Sequence, residues 1–258
     1  MEDLTRIPPD ARVDSTLSKG LLLLELLARR GGAMGVSELS RDLGLSKSNA
    51  FRLLQTLRVM GYVRHRPDKR YEATLKSWRI GRRVVEGLNL RSFAAPAMQM
   101  LSRETGEAVT LAVAEGLTMT CLDKIESRQP IRSWIPVGAA APIHAVATGK
   151  AILATDWPTY RGLLDGQLSR HTERTLTTPE ALEADIARTI TSGYAIDRGE
   201  FRSRVHGYAA AIRLPQGEAL GAIGLSLPDL NLPPDADAHF GALVCRAAAE
   251  VTALVAEA

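Results

Sequence analysis

Lys47, Ser48, Asn49, Arg52 and Gln55 share one face of a short amphipathic stretch, and these side-chain types hydrogen-bond phosphate oxygens and base edges. Ala50, Phe51, Leu54 and Leu57 recur at helical spacing and form the opposite, apolar face. Ser46 precedes the run, where a hydroxyl caps the first free N–H groups of a helix. Gly44 supplies a turn that needs a left-handed residue. Before it, a shorter helix starts at a Ser37 cap and buries Leu39 and Leu43. Two short helices about a glycine, the second offering polar groups near its N-terminus, is how a helix-turn-helix presents itself to the major groove. DNA contact is therefore the chemistry expected of Ser37, Ser46, Lys47, Ser48, Asn49 and Arg52.

The sequel supports that reading. Gly61 stops the second helix, and residues 62–65 and 70–73 alternate like two short strands about a turn made of Arg66, Pro67, Asp68 and Lys69. A hairpin directly after a recognition helix is a wing. Arg64, Arg66, Lys69 and Arg70, with His65, give it the charge expected of an element lying on phosphates.

The 258 residues suffice for two cores. Net charge is only +3, yet residues 41–70 hold eight Lys or Arg against two Asp, a local surplus of six that favours a polyanionic partner. Cys121 and Cys245 are the only cysteines and lack metal or disulfide spacing, so no metal and no cofactor are expected. The polar N-terminus lacks an apolar signal core, and residues 21–24 are too short an apolar run to span a bilayer. A cytoplasmic protein with no membrane partner is expected.

The elements that must position these groups follow in order. Residues 1–14, with two prolines and Arg6 and Arg12, read as a flexible arm. Residues 15–30 form a helix lined by Leu17, Leu21, Leu24 and Leu27, with Leu22, Leu23 and Leu26 widening its apolar surface toward a second subunit. The DNA-binding domain spans residues 15–76, a linker helix 77–90, and an effector-binding and oligomerisation domain 91–258. In the last, residues 108–115 and 118–125 form a hairpin, 131–137 a strand, and 138–144 a loop of small residues. Residues 145–155, 157–164, 179–192 and 240–255 read as helices, and 194–197, 205–214 and 219–227 as strands. The whole is α+β, with a curved, mostly antiparallel sheet in the second domain.

Four stretches in order, SELSRDLGLSKSNAFRLLQTL at 37–57, PIHAVATGKAILA at 142–154, SGYAIDRGEF at 192–201 and LGAIGLSLP at 220–228, resemble the IclR-type bacterial transcriptional regulators from residue 15 to the C-terminus. The resemblance implies a winged helix-turn-helix, a linker helix and a GAF-like effector domain, in a homodimer or tetramer that binds double-stranded DNA at a palindromic operator and answers to a small metabolite. It implies an effector pocket walled by Ala147, Thr148, Asp197, Val205 and Gly207. Where the family has Cys-Ile-Ala-Ala-Pro, this chain has Gly207, Tyr208 and, in place of the Pro, Ala211. Gly207 leaves room for a bulkier ligand or lets a neighbouring ring enter, which argues against a two- or three-carbon acid.

The pocket residues also read from their own chemistry. A helix starting near Ala145 presents free N–H groups suited to a carboxylate, and Ala147, Thr148 and Gly149 keep the approach open. Trp134 either stacks on a ligand ring or packs as a core tryptophan. His144 reads as holding a loop carbonyl rather than bonding an acid, and Asp197, Arg198 and Glu200 either order a pocket loop or form an exposed turn, the pocket role resting on Asp197. Thr148-Gly149-Lys150 lacks the glycine spacing of a phosphate loop, His144 standing where Gly is needed. Five histidines occur in no hydrolase or metal motif, so an enzyme ranks below a regulator. An effector-free architectural DNA-binding protein is the remaining alternative. The effector expected is an aromatic or other compact carboxylate, because Trp134, Tyr208 and Gly207 allow a ring.

Overall fold

The computed structural model describes residues 14–80 and 90–257. The arm is outside these but for Asp14, and so is most of the linker: residues 76–80 are helical and 81–89 are not described. The chain divides into two compact units, Met1–Leu88 and Asn89–Ala258.

In the first unit, α1 (Ser15–Arg30) is capped by Asp14, whose Oδ1 accepts from the backbone N–H groups of Thr16 and Leu17 at 3.0 and 2.7 Å. Gly31, at φ +65°, ends it. The buried stripe runs through Leu23 and Leu27, leaving Leu17 and Leu21 exposed, so the stripe read from the sequence is rotated outward. α2 (Val36–Asp42) starts two residues earlier than a Ser37 cap requires. Gly35 is the cap, and Glu38 reaches back to its N–H at 2.8 Å. Gly44, at φ +64°, makes the turn into α3 (Lys47–Val59), which Ser46 caps by accepting from Asn49 N–H.

Ala50, Leu53, Leu54 and Leu57 of α3 face the core, which Leu23, Leu27, Met34, Leu39, Val63 and Tyr71 complete. Strands β1 (Val63–His65) and β2 (Tyr71–Ala73) pair antiparallel, Arg64 opposite Glu72. Met34 adds a bridge on the far side of β2, exchanging both backbone hydrogen bonds with Tyr71 at 2.8 Å.

The second unit opens with α4 (Leu90–Thr105), which tolerates Pro96 and stops at Gly106 (φ +71°). Its six strands are β3 (Ala108–Glu115), β4 (Thr118–Ile125), β5 (Ala140–Pro142), β6 (Ala195–Arg198), β7 (Val205–Arg213) and β8 (Ala219–Pro228). They form one antiparallel sheet in the order β5-β4-β3-β8-β7-β6. Residues 131–137, expected as a strand, are irregular; the edge strand is β5, inside the stretch read as a loop. Period-two alternation decides which side chains meet which layer. Ala112, Ala209 and Ala222 face α5 (Ala147–Leu153) and, behind it, α7 (Pro179–Ser192). Between those two helices the chain forms α6 (Trp157–Leu163). On the other face Tyr208 packs against Phe240 of α8 (Ala236–Ala256), ring centroids 5.3 Å apart. α8 is apolar and long enough to cross a membrane by length and composition, but one side of it is core: Phe240, Leu243, Val244, Ala247 and Val251 are buried.

Candidate nucleic-acid interface and ligand cavity

α3 carries Lys47, Ser48 and Arg52 exposed and Asn49 half-buried. Ser46 Oγ and Ser48 Oγ lie 3.2 Å apart, so both hydroxyls sit at the helix start, where N–H groups and dipole favour an anion. Ser37 lies in the first turn of α2, exposed, its carbonyl accepting from Ser40 Oγ. Gln55 is not free: its amide donates to Tyr71 Oη at 3.1 Å, tying the helix to the hairpin. Phe51, read as part of the buried face, is 49 % exposed. It lies about 100° around the helix from Ala50, so a stripe one residue too wide misassigned it.

The hairpin cations are not equivalent. Arg64 and Arg66 both bond Glu72, the latter at 3.2 Å, and their pull holds the Glu72 carboxyl below its usual range. Arg70 straps the hairpin to α2, donating to Glu38 at 3.2 Å and to the Ala33 carbonyl at 3.3 Å. Lys69, at the tip, adopts φ +62°, a left-handed conformation unusual for a residue with a Cβ. All four are exposed.

In the second unit a cavity lies between α5 and the sheet, with about 710 Å³ of space counting its mouth. Ala147, Thr148, Asp197, Val205 and Gly207 all line it. Trp134 does not: it is 61 % exposed, with Lys124 over its ring, and only its neighbours Ser133 and Ile135 reach the cavity. Tyr208 also faces away, because it follows Gly207 on β7 and alternation sends it to α8, where its hydroxyl donates to Asp237. Gly207 opens less space than expected, since a Cβ there would lie 3.1 Å from the Ala147 methyl and 3.4 Å from Asp197 Cβ.

Asp197 is the buried ionisable group of this wall. Burial, reinforced by the Glu200 charge, pushes its carboxyl up to about 7. Its Oδ1 accepts from the N–H groups of Gly199 and Glu200 at 3.0 and 2.7 Å, which folds the loop after β6. Glu200 is then fixed by Lys150 of α5 at 2.7 and 2.8 Å, and Asp185 Oδ2 of α7 stands 2.8 Å from the same ammonium, off the hydrogen-bond direction. Burial raises the Glu200 carboxyl although Lys150 opposes it. The loop thereby presents Phe201 and Arg202 to the cavity, and Arg202 donates to the Trp134 carbonyl at 2.6 Å. His144 Nε2 lies 3.1 Å from the Ser169 carbonyl, the loop-holding contact read from the sequence. Arg198, grouped with Asp197 and Glu200 in the sequence, instead points to Asp237 on the far side.

Sequence reasoning missed Ser133 and Ser226, whose hydroxyls meet at 2.9 Å, and Cys121, a cavity thiol that burial pushes up to about 11. It also missed the partners of Lys150. Only the alternation of β4 and β8 could have flagged Cys121 and Ser226. Lys150 carried a signal, a lone cation within an Ala- and Ile-rich helix, which demands a buried anion.

Comparison with known proteins points the same way. Residues 16–67 match the IclR helix-turn-helix domain, and residues 82–253 match the family described as bacterial transcriptional regulator IclR C-terminal. The transcriptional repressor IclR of Escherichia coli (strain K12) is 32 % identical over 250 residues, covering 95 % of this chain and 91 % of that protein. The HTH-type transcriptional regulator KdgR of the same organism is 29 % identical, covering 85 % of each. Among solved structures, Thermotoga maritima IclR aligns with a TM-score of 0.76 at 25 % identity, covering 93 % of this chain and 98 % of that one. An IclR homolog from Microbacterium hydrocarbonoxydans complexed with 4-hydroxybenzoate aligns with a TM-score of 0.80 at 24 % identity, covering 93 % and 99 %.

Proposed function

The chain belongs to the IclR family of bacterial transcriptional regulators, a DNA-binding family, and from that premise we propose that it represses a catabolic operon until a compact carboxylate metabolite occupies its second unit. The cavity of the second unit carries this reading: apolar on most sides, it is lined by Thr148, by Asp197, whose carboxyl burial raises to about 7, and by Arg202, whose guanidinium also donates to the Trp134 carbonyl. Arg202 supports an anionic ligand, and a protonated Asp197 would donate a hydrogen bond to the ligand's other end. Ala147, Val205 and Gly207 would meet its body. Support for a ring is reduced to Phe201, since Trp134 and Tyr208 do not face the cavity. The Microbacterium homolog, related at the level of fold, was crystallised with an aromatic acid.

At the other unit, Lys47, Ser48, Asn49 and Arg52 would read the major groove of a palindromic operator, with Ser37 and Ser46 on the flanking backbone. Arg64, Arg66, Lys69 and Arg70 would lie on phosphates. A palindrome needs two copies, and the exposed Leu17 and Leu21 on α1 support a homodimer or tetramer. The effector would act by binding one arrangement of the copies better than the other; about 1.4 kcal/mol of difference shifts operator affinity tenfold.

The test is a mobility-shift titration of the chain on the DNA upstream of its own gene, with and without a panel of aromatic and short aliphatic acids. Tight binding there, weaker binding to random duplex, and relief by at least one acid are expected. The same acid should raise the thermal midpoint, and Asp197→Asn should weaken that rise. Equal affinity for promoter and random duplex would end the regulator reading; specific binding that no acid alters or stabilises would leave an architectural protein.

A further inference from the structure

Phe51 is out of place for a core residue. In α3 the buried side chains are Ala50, Leu53, Leu54 and Leu57, and Phe51 stands to one side of them, 49 % exposed. Its neighbours one turn back are Lys47 and Ser48, and one turn on is Gln55, which the hairpin's Tyr71 holds. The ring therefore sits on the flank between the helix's polar first turn and the wing.

The polar groups around it are already committed in part. Ser46 and Ser48 hold each other, and Gln55 is bound by Tyr71. An exposed aromatic ring has no hydrogen bond to offer a base edge. It has one selective partner in the major groove, the thymine C5-methyl group, which no other base displays. We propose that Phe51 reads thymine: its ring packs on the C5-methyl of one thymine in each half-site and sets the base preference there. This rests on α3 being the groove-reading helix, and it adds an apolar contact to the polar ones.

The experiment uses the full chain and needs no prior operator. Duplexes are selected from a random library by the wild-type chain, by Phe51→Ala and by Phe51→Leu, and the enriched sites are sequenced. The wild type is expected to enrich a symmetric site with a fixed thymine in each half. Phe51→Ala should lose the preference at that position alone and bind the wild-type site at least about fivefold more weakly. Phe51→Leu should keep the preference in weaker form. Replacing that thymine by uracil should cost the wild type about fourfold per half-site, the transfer value of one buried methyl, and cost Phe51→Ala nothing.

The inference is overturned if Phe51→Ala enriches the same site, or if uracil is tolerated by the wild type. It is also overturned if Phe51→Ala loses random-duplex binding or changes its mass in sedimentation, since the ring then serves the fold or a contact between copies. A wild-type chain that enriches no site removes the DNA reading itself, and this inference with it.

Discussion

Lys150 Nζ stands 2.7 and 2.8 Å from the two carboxylate oxygens of Glu200, fifty residues away in sequence, and the two residues are 0 % and 5 % exposed. The pair clamps the loop after β6 onto α5, and with it the cavity wall at Phe201 and Arg202. A buried pair contributes little net stability over an apolar isostere, but removing one member strands the other. Lys150→Met should therefore lower unfolding free energy by about 3–5 kcal/mol. Combining it with Glu200→Leu should recover part of that loss. Urea titrations of the wild type and the two variants check this, and a Lys150→Met midpoint equal to the wild type would refute the clamp.

Asp197 predicts a pH dependence. Its folded carboxyl titrates near 7, well above an ordinary Asp, so between about 4 and 7 the folded chain holds a proton that the unfolded chain has released. Stability from this group is fully present at the low end of that window, falls as pH climbs through it, and levels off above about 7. Asp197→Asn should flatten that decline, because the amide oxygen of the variant still accepts from Gly199 and Glu200 without titrating. Unfolding free energies at half-unit steps from pH 5 to 8 would show parallel curves if the idea is wrong.

Lys69 should show opposite signs in two assays. Its φ of +62° strains the backbone, so Lys69→Gly should stabilise the first unit by roughly 0.5–1 kcal/mol, the left-handed penalty less the added unfolded-state entropy. The same change removes a cation from the hairpin tip and should reduce the slope of log affinity against log salt by about 0.9 per copy. A stabilised variant with an unchanged slope would mean Lys69 does not touch DNA.

Two glycines on either side of the cavity should respond differently to Ala. A Cβ on Gly149 would lie 2.0 Å from the Ile143 carbonyl oxygen, a backbone atom that cannot swing aside as a side chain can. Gly149→Ala should cost about 3 kcal/mol or more. At Gly207 the nearest atoms are side-chain carbons at 3.1 and 3.4 Å, and Gly207→Ala should cost under about 1.5 kcal/mol. Thermal denaturation ranks the two, and a reversed order would contradict the packing.

The first unit was readable in sequence because its signals are local. Gly44, Ser46 and the period of α3 act within a few residues, and only details that depend on neighbours went astray: Ser37 gave way to Gly35 as the cap, and Phe51 came out of the core. In the second unit, strands bounded by Gly116 and Gly217 were visible for the same reason. The irregular course of residues 131–137 was not, since β-type composition there does not say whether a partner strand is free to pair. The cavity was legible on the residues that the family resemblance carried, Ala147, Thr148, Asp197, Val205 and Gly207. Tyr208 was misjudged because the face a strand side chain takes depends on register, which a three-dimensional pairing sets, and Trp134 because its stretch forms no strand at all.

Tyr71 joins three pieces at once: its backbone exchanges both hydrogen bonds with Met34, its hydroxyl accepts from Gln55, and its ring lies 4.6 Å from His65. Helix and hairpin are thus tied to each other through one residue. A duplex meeting so tied a pair would do part of the yielding, by opening a groove or bending at a soft step. Discrimination among sites then includes the elastic cost of the DNA at base pairs that no side chain reaches.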